Sequence, residues 1–419
     1  MKNNKKFDII ISGGGLSGCL MALSLANLSK ADGGLLSIAI VEATKAETVK
    51  IQANTRSLFD DRVLALSHGS AAYLKKMAVW PYLSSDACAI EKIDISDRGH
   101  YGKARLEAQQ QGVSALGYVI EMAVIGKGLL TELADKSNVH WFNPDSISDI
   151  NWKPDDDTAT VSVELNSGTS IQASLLLACD GVNSPCRQLA GINVNHSDYH
   201  QVALIANVAT EHPHKNKAYE RFTEFGPLAM LPLSKLRAKL KVKPNGQGRC
   251  SLVWTMTPEQ SEAMLLLNND HFCQQLELAF GSWLGKITQV GKRDVYPLVL
   301  LQASQQTYHR MALVGNAAHT IHPIAGQGFN LGLRDVQLMA ELIAQALKNN
   351  QDIGSFALLN NYAQQRQRDQ KQTIKLTDSL VTLFANDLPP LIAGRNIGLK
   401  VMNYFSPLKK TLVNKLMGY

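Results

Sequence analysis

The chain has 419 residues, of which 45% are hydrophobic and 19% charged, and its formal net charge is +6. This length exceeds what one hydrophobic core usually supports, so we expect two domains. No apolar run approaches the roughly 18–20 residues needed to cross a bilayer, so we do not expect an integral membrane protein. The positive charge comes with no recognition motif, and we therefore expect no nucleic-acid partner.

The six cysteines are scattered along the chain without a CxxC pair or the spacing of metal ligands. In a chain of this length such cysteines are typical of reduced thiols in a cytosolic protein. We therefore expect no disulfide framework, no metal site and a cytoplasmic location.

The first predicted elements form a β-α-β unit. Residues 7–12 are a short apolar run typical of a buried parallel strand, and residues 17–29 carry apolar residues at helical spacing. A second buried strand is predicted at residues 36–41. A glycine-rich turn joins the first strand to the helix, and this arrangement has the size of a nucleotide-binding unit.

The glycine turn predicts a dinucleotide site. Gly13 allows the tight turn, Gly15 lets the backbone approach a pyrophosphate, and Gly18 lets helix and strand pack closely. Free N–H groups at the helix N-terminus attract the anion. Glu42 closes the second strand and is placed to accept hydrogen bonds from ribose hydroxyls, which favours FAD or NAD over NADP. By itself the glycine pattern also fits an ordinary loop.

The middle of the chain alternates short elements. The patterns predict a helix ending near residues 80–81, antiparallel strands within 90–120, a helix at 126–133, a hairpin with its turn at 166–168, and strands at 174–179, 202–208, 226–233 and 250–254. Between the last two strands, the basic segment 234–249 is predicted to be an exposed hairpin extension.

Two further motifs follow predicted buried strands. Asp180-Gly181 comes directly after the strand at 174–179, and Gly315-Asn316 comes directly after a strand at 311–314. Each of the two motifs alone also fits an ordinary turn.

A third glycine pair, Gly326 and Gly328 around Gln327, precedes a predicted helix. Several backbone N–H groups converge there and form a nest of donors. Such a nest suits a developing negative charge, for example the N1–C2=O region of a reduced flavin. A purely structural turn is the alternative interpretation.

The C-terminal part is predicted to be helical, at residues 331–350 and 356–384. The closing segment 395–416 places lysines and apolar residues at helical spacing. Such a helix either covers the core or lies on a membrane surface or a partner protein.

Taken together, these motifs resemble the aromatic-ring monooxygenases of the para-hydroxybenzoate hydroxylase type, and within them the ubiquinone-biosynthesis hydroxylases. The similarity runs from about residue 7 to residue 405. The segments that carry it are 13–18 with Glu42, 61–66, 96–100, 180–187, 220–223, 226–232, 315–330 and 378–380.

The resemblance implies an α/β fold, with a Rossmann-like FAD-binding domain, an interleaved antiparallel-sheet substrate domain and C-terminal helices. The implied division is FAD-binding domain at 1–82, 116–190 and 296–375, substrate domain at 83–115 and 191–295, and a C-terminal helical segment at 376–419.

The implied activity is hydroxylation of a polyprenylated methoxyphenol in ubiquinone biosynthesis, with FAD as cofactor, NAD(P)H as transient reductant and O₂ as co-substrate. The alternatives are a hydroxylase of another ring position, a flavin-dependent prenyl reductase, and a non-catalytic flavin-binding subunit of a quinone-synthesis complex. The resemblance also implies that the protein works in a quinone-synthesis protein complex or at the inner face of a membrane. It leaves the oligomeric state open.

The resemblance also implies residue roles. Asp180 and Gly181 help bind the pyrophosphate, and Gly315 and Asn330 belong to the cofactor contacts. Asn316 replaces an aspartate that holds a ribityl hydroxyl in the family, and an amide still accepts one hydrogen bond there.

Near the flavin ring, the resemblance places Pro323 over the reactive edge, close to the Gly326–Gly328 nest. Arg62 is a candidate for a cationic contact near the flavin, although an exposed, solvated arginine is equally compatible. His319 and His322 border the expected flavin face as catalytic bases or as hydrogen-bonded structural residues.

Overall fold

The computed structural model describes residues 4–44, 62–98, 103–152, 160–223, 226–234, 248–321, 327–384 and 417–418. Within these residues the strands are β1 Asn4–Ser12, β2 Ile38–Val41, β3 Val63–Ser67, β4 Cys88–Ile90, β5 Lys92–Asp97, β6 Lys103–Glu107, β7 Gly117–Glu121, β8 Val139–Phe142, β9 Ile147–Asn151, β10 Val161–Leu165, β11 Ser170–Ala178, β12 Val194–Thr210, β13 Lys217–Thr223, β14 Gly226–Leu233, β15 Gly248–Met256, β16 Ile287–Val290, β17 Asp294–Ala303, β18 Thr307–Tyr308, β19 Met311–Leu313 and β20 His319–Thr320. The helices are α1 Leu16–Ala26, α2 His68–Lys76, α3 Trp80–Leu83, α4 Met122–Ala134, α5 Pro185–Leu189, α6 Pro258–Leu266, α7 Asn269–Phe280, α8 Gln327–Lys348 and α9 Phe356–Phe384.

The first sheet has the order β18-β19-β11-β1-β2-β8, and β10 and β9 extend it beside β11. The five strands from β19 to β8 run parallel. Ile9 and Ile11 pack with α1, α8 and α9, whereas Ile10 packs on the opposite face with β9 and β10. Because both faces are covered, these strands are continuous apolar runs rather than alternating ones.

This parallel order determines where the loops meet. The carboxyl ends of β2, β1, β11 and β19 lie side by side at one edge of the sheet. From β1 the chain continues to β2, which lies beside β1 on one side, whereas β11 lies beside β1 on the other side. In open α/β sheets, ligands bind in the crevice at such a switch point.

The second sheet has nine strands in the order β20-β17-β12-β15-β14-β13-β5-β6, with β16 beside β12. Its strand pairs are antiparallel apart from β5 and β13. One face packs against α7, where Leu204 and Trp254 meet Phe272. The opposite face is turned toward the third sheet, which has the order β3-β7-β4.

The third sheet connects the other two. Val63 of β3 and Val119 of β7 pack with Ala218 and Leu231 of the nine-stranded sheet. At the other end of β3, the side chain of Asn330 from α8 bonds the backbone of Ala65 and Ser67. Strand β3 therefore lies between the start of α8 and one face of the nine-stranded sheet.

The structure confirms the α/β fold class and most predicted elements, including the β-α-β unit and the hairpin of β10 and β11. The prediction of a helix ending near Trp80 was wrong. Helix α2 ends at Lys76, because Ala78 has a positive φ of 58° that breaks the helix, and Trp80 begins α3 instead. Helix α8 begins at Gln327, four residues before the predicted start. The segments 235–247 and 395–416 lie outside the described residues.

All six cysteines are free and buried, which agrees with the expected reduced thiols. In the part of the chain that the structure describes, no helix combines the length and the hydrophobicity that crossing a bilayer requires.

Candidate active site

Three loops that are distant in the sequence meet at the carboxyl edge of the parallel sheet. A Cβ atom at Gly13 would lie 2.6 Å from the carbonyl oxygen of Cys179 and 2.9 Å from the Cα atom of Asp180. A Cβ atom at Gly315 would lie 3.0 Å from Oγ of Ser17 in the first turn of α1. The turns after β1, β11 and β19 are therefore in direct contact.

The glycines of the first turn have different structural reasons. Gly13 has a φ of 95°, and a Cβ at Gly18 would lie only 1.8 Å from the carbonyl oxygen of Gly13, so both positions require glycine. Gly15 has an ordinary φ of −70°, and no atom of the described residues lies within 4 Å of the place that a Cβ would take there. The open space beside Gly15, at the start of α1, leaves room for a group from outside the protein.

Glu42 ties the glycine turn to β2. Its Oε2 accepts a hydrogen bond from the Gly14 amide at 2.6 Å, and its Oε1 accepts one from the Thr44 amide at 2.8 Å. A carboxylate offers about four acceptor positions, so these two bonds leave capacity for ribose hydroxyls.

Asp180 presents a carboxylate oxygen that lacks a partner. Its Oδ2 accepts hydrogen bonds from the Cys186 amide at 3.1 Å and from Oγ of Ser12 at 3.4 Å. Its Oδ1 is buried, and no described residue donates to it. A buried acceptor without a donor is costly, so this oxygen indicates a place where a ligand donor would bind. Gly181 follows with a φ of 83°, which glycine adopts without strain.

Arg187 connects two of the three loops, although no role of its own was predicted for it from the sequence. Its guanidinium donates to the carbonyl oxygen of Ala317 at 2.8 Å and to that of Val182 at 2.7 Å. Burial lowers the pKa of Arg187 below its ordinary value, although Asp180 acts in the opposite direction. The only signal in the sequence was its position at the end of the Asp180–Arg187 motif.

Asp335 of α8 holds the loop after β19. Its Oδ2 accepts from the Gly315 amide and from Nε2 of His319, each at 2.8 Å, and its Oδ1 accepts from Arg366 of α9. Burial alone would raise the pKa of Asp335, but His319 and Arg366 lower it below its ordinary value. Asn316, next to Gly315, is exposed. No motif pointed to Asp335, because its partners come from two other segments, the loop at 315–319 and α9.

His319 is buried, and its bond to Asp335 supports a structural role. Its Nδ1 is also buried and has no partner among the described residues. His322, Pro323 and Gly326 lie outside the described residues, so their predicted roles stay predictions.

The start of α8 shows why Asn330 matters. Its Oδ1 accepts from the Ser67 amide and its Nδ2 donates to the Ala65 carbonyl, both at 2.8 Å. The side chain of Asn330 therefore positions β3 against the start of α8. Gln327 and Gly328 lie in the first turn of α8, where the first amide groups have no partner within the helix.

Arg62 directly precedes β3 and is exposed. Its guanidinium lies 5.7 Å from the centre of the Tyr296 ring, a distance typical of a cation–π contact. Arg62 thus joins β3 of the third sheet to β17 of the nine-stranded sheet.

The chain matches the family model described as FAD binding domain over residues 6–377. It belongs to this family. It is 32% identical to the ubiquinone hydroxylase UbiL of Rhodospirillum rubrum, over 99% of this chain and 90% of that protein. It is 30% identical to the 3-demethoxyubiquinol 3-hydroxylase of Escherichia coli, over 99% of each chain.

Among solved structures, the p-nitrophenol 4-monooxygenase PnpA of Pseudomonas putida superposes with a TM-score of 0.73, covering 99% of each chain at 17% identity. At this identity the match shows the fold alone. The resemblance inferred from the motifs is confirmed, and the chain is an FAD-dependent monooxygenase with FAD as its cofactor.

The site fits FAD. An extended dinucleotide needs an anion site, a ribose acceptor and contacts along its length. The chain offers the open space at Gly15, the amide groups that begin α1, the carboxylate of Glu42 and the unpartnered Oδ1 of Asp180.

Proposed function

We propose that this FAD-dependent monooxygenase hydroxylates the ring of a polyprenylated methoxyphenol, a 2-polyprenyl-6-methoxyphenol, and yields the corresponding 1,4-benzoquinol in ubiquinone biosynthesis. NAD(P)H is the reductant and O₂ the source of the oxygen atom.

The observation that carries the proposal is the match to relatives named as hydroxylases of ubiquinone or its precursors, which extends over 99% of this chain. A half-buried, largely apolar face of the nine-stranded sheet supports it as well. Such a face suits an aromatic ring with a greasy substituent.

In this proposal each loop holds one part of FAD. Gly13, Gly15 and Gly18 with the start of α1 hold the pyrophosphate, and Glu42 holds the ribose of the adenosine half. Asp180 and Gly181 also lie at the pyrophosphate region, where the unpartnered Oδ1 of Asp180 accepts a hydrogen bond from a hydroxyl group of FAD.

The remaining contacts are assigned to the flavin half. Gly315 and Asn316 hold the ribityl chain, and Arg62 lies near the ring. The start of α8, with Gln327 and Gly328, stabilises negative charge on the ring, and Asn330 supports this turn through its bonds to β3. Pro323 and Gly326 keep their predicted places at the reactive edge.

When bound, FAD supplies the redox chemistry that lets NAD(P)H and O₂ place an oxygen atom on an electron-rich ring. The protein binds and orients the substrate, excludes water and holds the charges that develop.

We also infer that the first sheet forms the FAD-binding domain and that the nine-stranded sheet forms the substrate domain. The boundaries are those implied by the family resemblance, which leave β20 and most of β17 in the FAD-binding part of the chain. Because a polyprenyl substrate resides in a bilayer, we place the enzyme in the cytoplasm, peripheral to the inner face of the membrane, with a quinone-synthesis complex as a partner.

A strain that lacks the gene tests the substrate. Mass spectrometry of its lipid extract should show an accumulated polyprenyl-methoxyphenol, and a plasmid copy of the gene should remove it. Accumulation of a precursor modified at another ring position would contradict the proposed substrate.

Purified enzyme separates the remaining alternatives. O₂ uptake that depends on the prenylated phenol supports a hydroxylase. Reduction of a prenyl chain without O₂ would instead indicate a reductase, and bound FAD without turnover would indicate a non-catalytic subunit.

A further inference from the structure

One row of side chains on the nine-stranded sheet is partly accessible, although most of its neighbours along the strands are buried. The strand register aligns five half-buried residues directly across five strands, from β5 through β13, β14 and β15 to β12. We call this the open row: Ile95, Glu220, Ala229, Val253 and Ile205. In the central strand β15, Val253 is the one residue that is not buried. The open row is therefore a line of partly accessible side chains across the middle of the sheet.

The open row lies on the face that is turned toward the third sheet. Residues two apart on a strand share a face, so Glu220 points to the same side as Ala218, which packs against β7. At the far end of the row, Tyr296 stands on the same face and carries Arg62 above its ring. Arg62 leads into β3, and β3 is bonded to Asn330 of α8.

Glu220 is the one ionisable member of this apolar row. Among the described residues, no hydrogen bond or ion pair engages its carboxylate. Burial raises the pKa of Glu220 to about 7. The carboxyl group of Glu220 thus changes its charge near neutral pH. A general base is most effective when its pKa lies near the pH at which the enzyme works.

Other charged groups lie on this face and on the elements packed against it, and each is buried or has a contact partner of its own. They are Asp97, which is buried two residues after Ile95, Arg249, paired with Glu121 at 2.8 Å, Asp294, paired with Lys292 at 2.7 Å, and Arg62, which stacks on Tyr296. Burial, rather than any of these charges, is the cause of the raised pKa of Glu220.

We propose that Glu220 binds the phenol hydroxyl of the substrate and accepts its proton, while the apolar members of the open row hold the ring. The inference rests on the proposed function, because it assigns the recognition of a ring hydroxyl in that reaction. It makes Glu220 a catalytic residue that also selects phenols over their ethers.

The step is a proton transfer and involves no change of oxidation state. The O–H bond of the phenol breaks, and a new O–H bond forms on the carboxylate of Glu220. The charge moves from the carboxylate to the phenolate, whose ring is richer in electrons. After product release the proton leaves Glu220 for solvent.

The test compares Glu220→Gln with the wild type, using the FAD-loaded full chain. The ligands are 2-methoxy-6-prenylphenol and its methyl ether, in which a methoxy group replaces the hydroxyl group. The control is Glu164→Gln, which makes the same change at an exposed position of β10. Flavin absorbance and thermal unfolding verify that each variant is folded and loaded.

Calorimetric titration gives a readout that does not depend on turnover. The wild type and Glu164→Gln should bind the phenol at least about tenfold more tightly than the ether, because a site built for a hydroxyl rejects the analogue that lacks it. Glu220→Gln should lose most of this preference. Equal preference in Glu220→Gln and wild type, or no binding of either ligand, would overturn the inference.

Turnover gives the second readout. In the wild type, kcat with the phenol should rise with pH through about 7, and in Glu220→Gln this inflection should disappear while kcat falls about 100-fold. A wild-type pH profile in Glu220→Gln would refute the role of Glu220 and leave the proposed function intact. Tight binding of the phenol that depends on Glu220 but leads to no hydroxylation would refute the proposed function. It would still support Glu220 as the residue that binds the hydroxyl group.

Discussion

At the scale of single residues, the glycines of the first turn differ in the reason why each position lacks a side chain. Gly13 and Gly18 are required by the protein itself, one through its positive φ and both through close backbone contacts. Gly15 meets neither condition. Its absent side chain therefore matters to a bound group rather than to the fold, and this difference can be tested directly.

We expect Gly15→Val to fold and to lose FAD. The valine side chain finds an allowed backbone conformation and empty space in the protein, but it occupies the place where a pyrophosphate would approach. The purified variant should be colourless, with a melting temperature close to that of the wild-type apoprotein.

Gly126→Ala is the matched control, because a Cβ at Gly126 in α4 would make only an ordinary contact, 3.6 Å from Leu16. It should keep its yellow colour and gain about 0.5–1 kcal/mol of stability. Full FAD content in Gly15→Val would contradict the placement of the pyrophosphate.

At the scale of elements, a polar stripe on α9 attaches this helix to the parallel sheet. Tyr362, Arg366 and Gln370 recur every fourth residue and are buried. Tyr362 donates to the Leu313 carbonyl at 3.0 Å, and Arg366 bonds Asp335 of α8. Helices α8 and α9 therefore hold the end of β19, where the Gly315 turn begins.

We expect Asp335→Asn to lower the free energy of unfolding by about 3 kcal/mol, because it leaves the buried Arg366 without its main counter-ion. Urea unfolding at pH 7 measures this loss. Asp149→Asn, at an exposed position of β9, is the control and should change stability by less than about 0.5 kcal/mol.

The same residue predicts a pH dependence. The folded-state pKa of Asp335 lies below its ordinary value of 3.8, so its contribution is present above that pH and is lost as pH falls through the folded pKa. Between pH 5 and 2 the wild type should therefore lose more stability than Asp335→Asn does. Parallel losses in the two proteins would show that the ion pair contributes nothing to acid stability.

At the scale of the whole molecule, the site consists of loops from four parallel strands and two C-terminal helices. A ligand that contacts all of these loops binds only the folded chain, so it stabilises the entire molecule by mass action. The length of the ligand should matter, because the Glu42 side and the Gly315 side of the site lie on opposite sides of β1.

We expect FAD to raise the melting temperature of the apoprotein more than FMN does at equal concentration. FMN lacks the adenosine half that the Gly13–Gly18 turn and Glu42 would hold. At a hundred times its dissociation constant, FAD should add about 2.7 kcal/mol. Calorimetric melting curves at several ligand concentrations measure this effect, and equal shifts with FMN and FAD would contradict a site that spans the sheet.

The sequence alone determined the β-α-β unit, the glycine turns, the hairpin of β10 and β11 and the span of α9. These features depend on local causes, namely apolar periodicity and backbone conformations that only glycine adopts without strain. Because the three glycine turns are local features, the sequence also indicated the order of the three cofactor loops along the chain. The roles of the residues in these loops stay predictions.

Only the tertiary structure decided which distant side chains support those loops. Arg187 bonds carbonyl groups of two turns, Asp335 joins a backbone amide to two helices, and Glu220 lies in a row whose members come from five strands. The sequence motifs include Arg187 and Glu220 but do not show these contacts. The partners of Arg187 and Asp335, and the neighbours of Glu220 in the row, are brought together only in the folded chain.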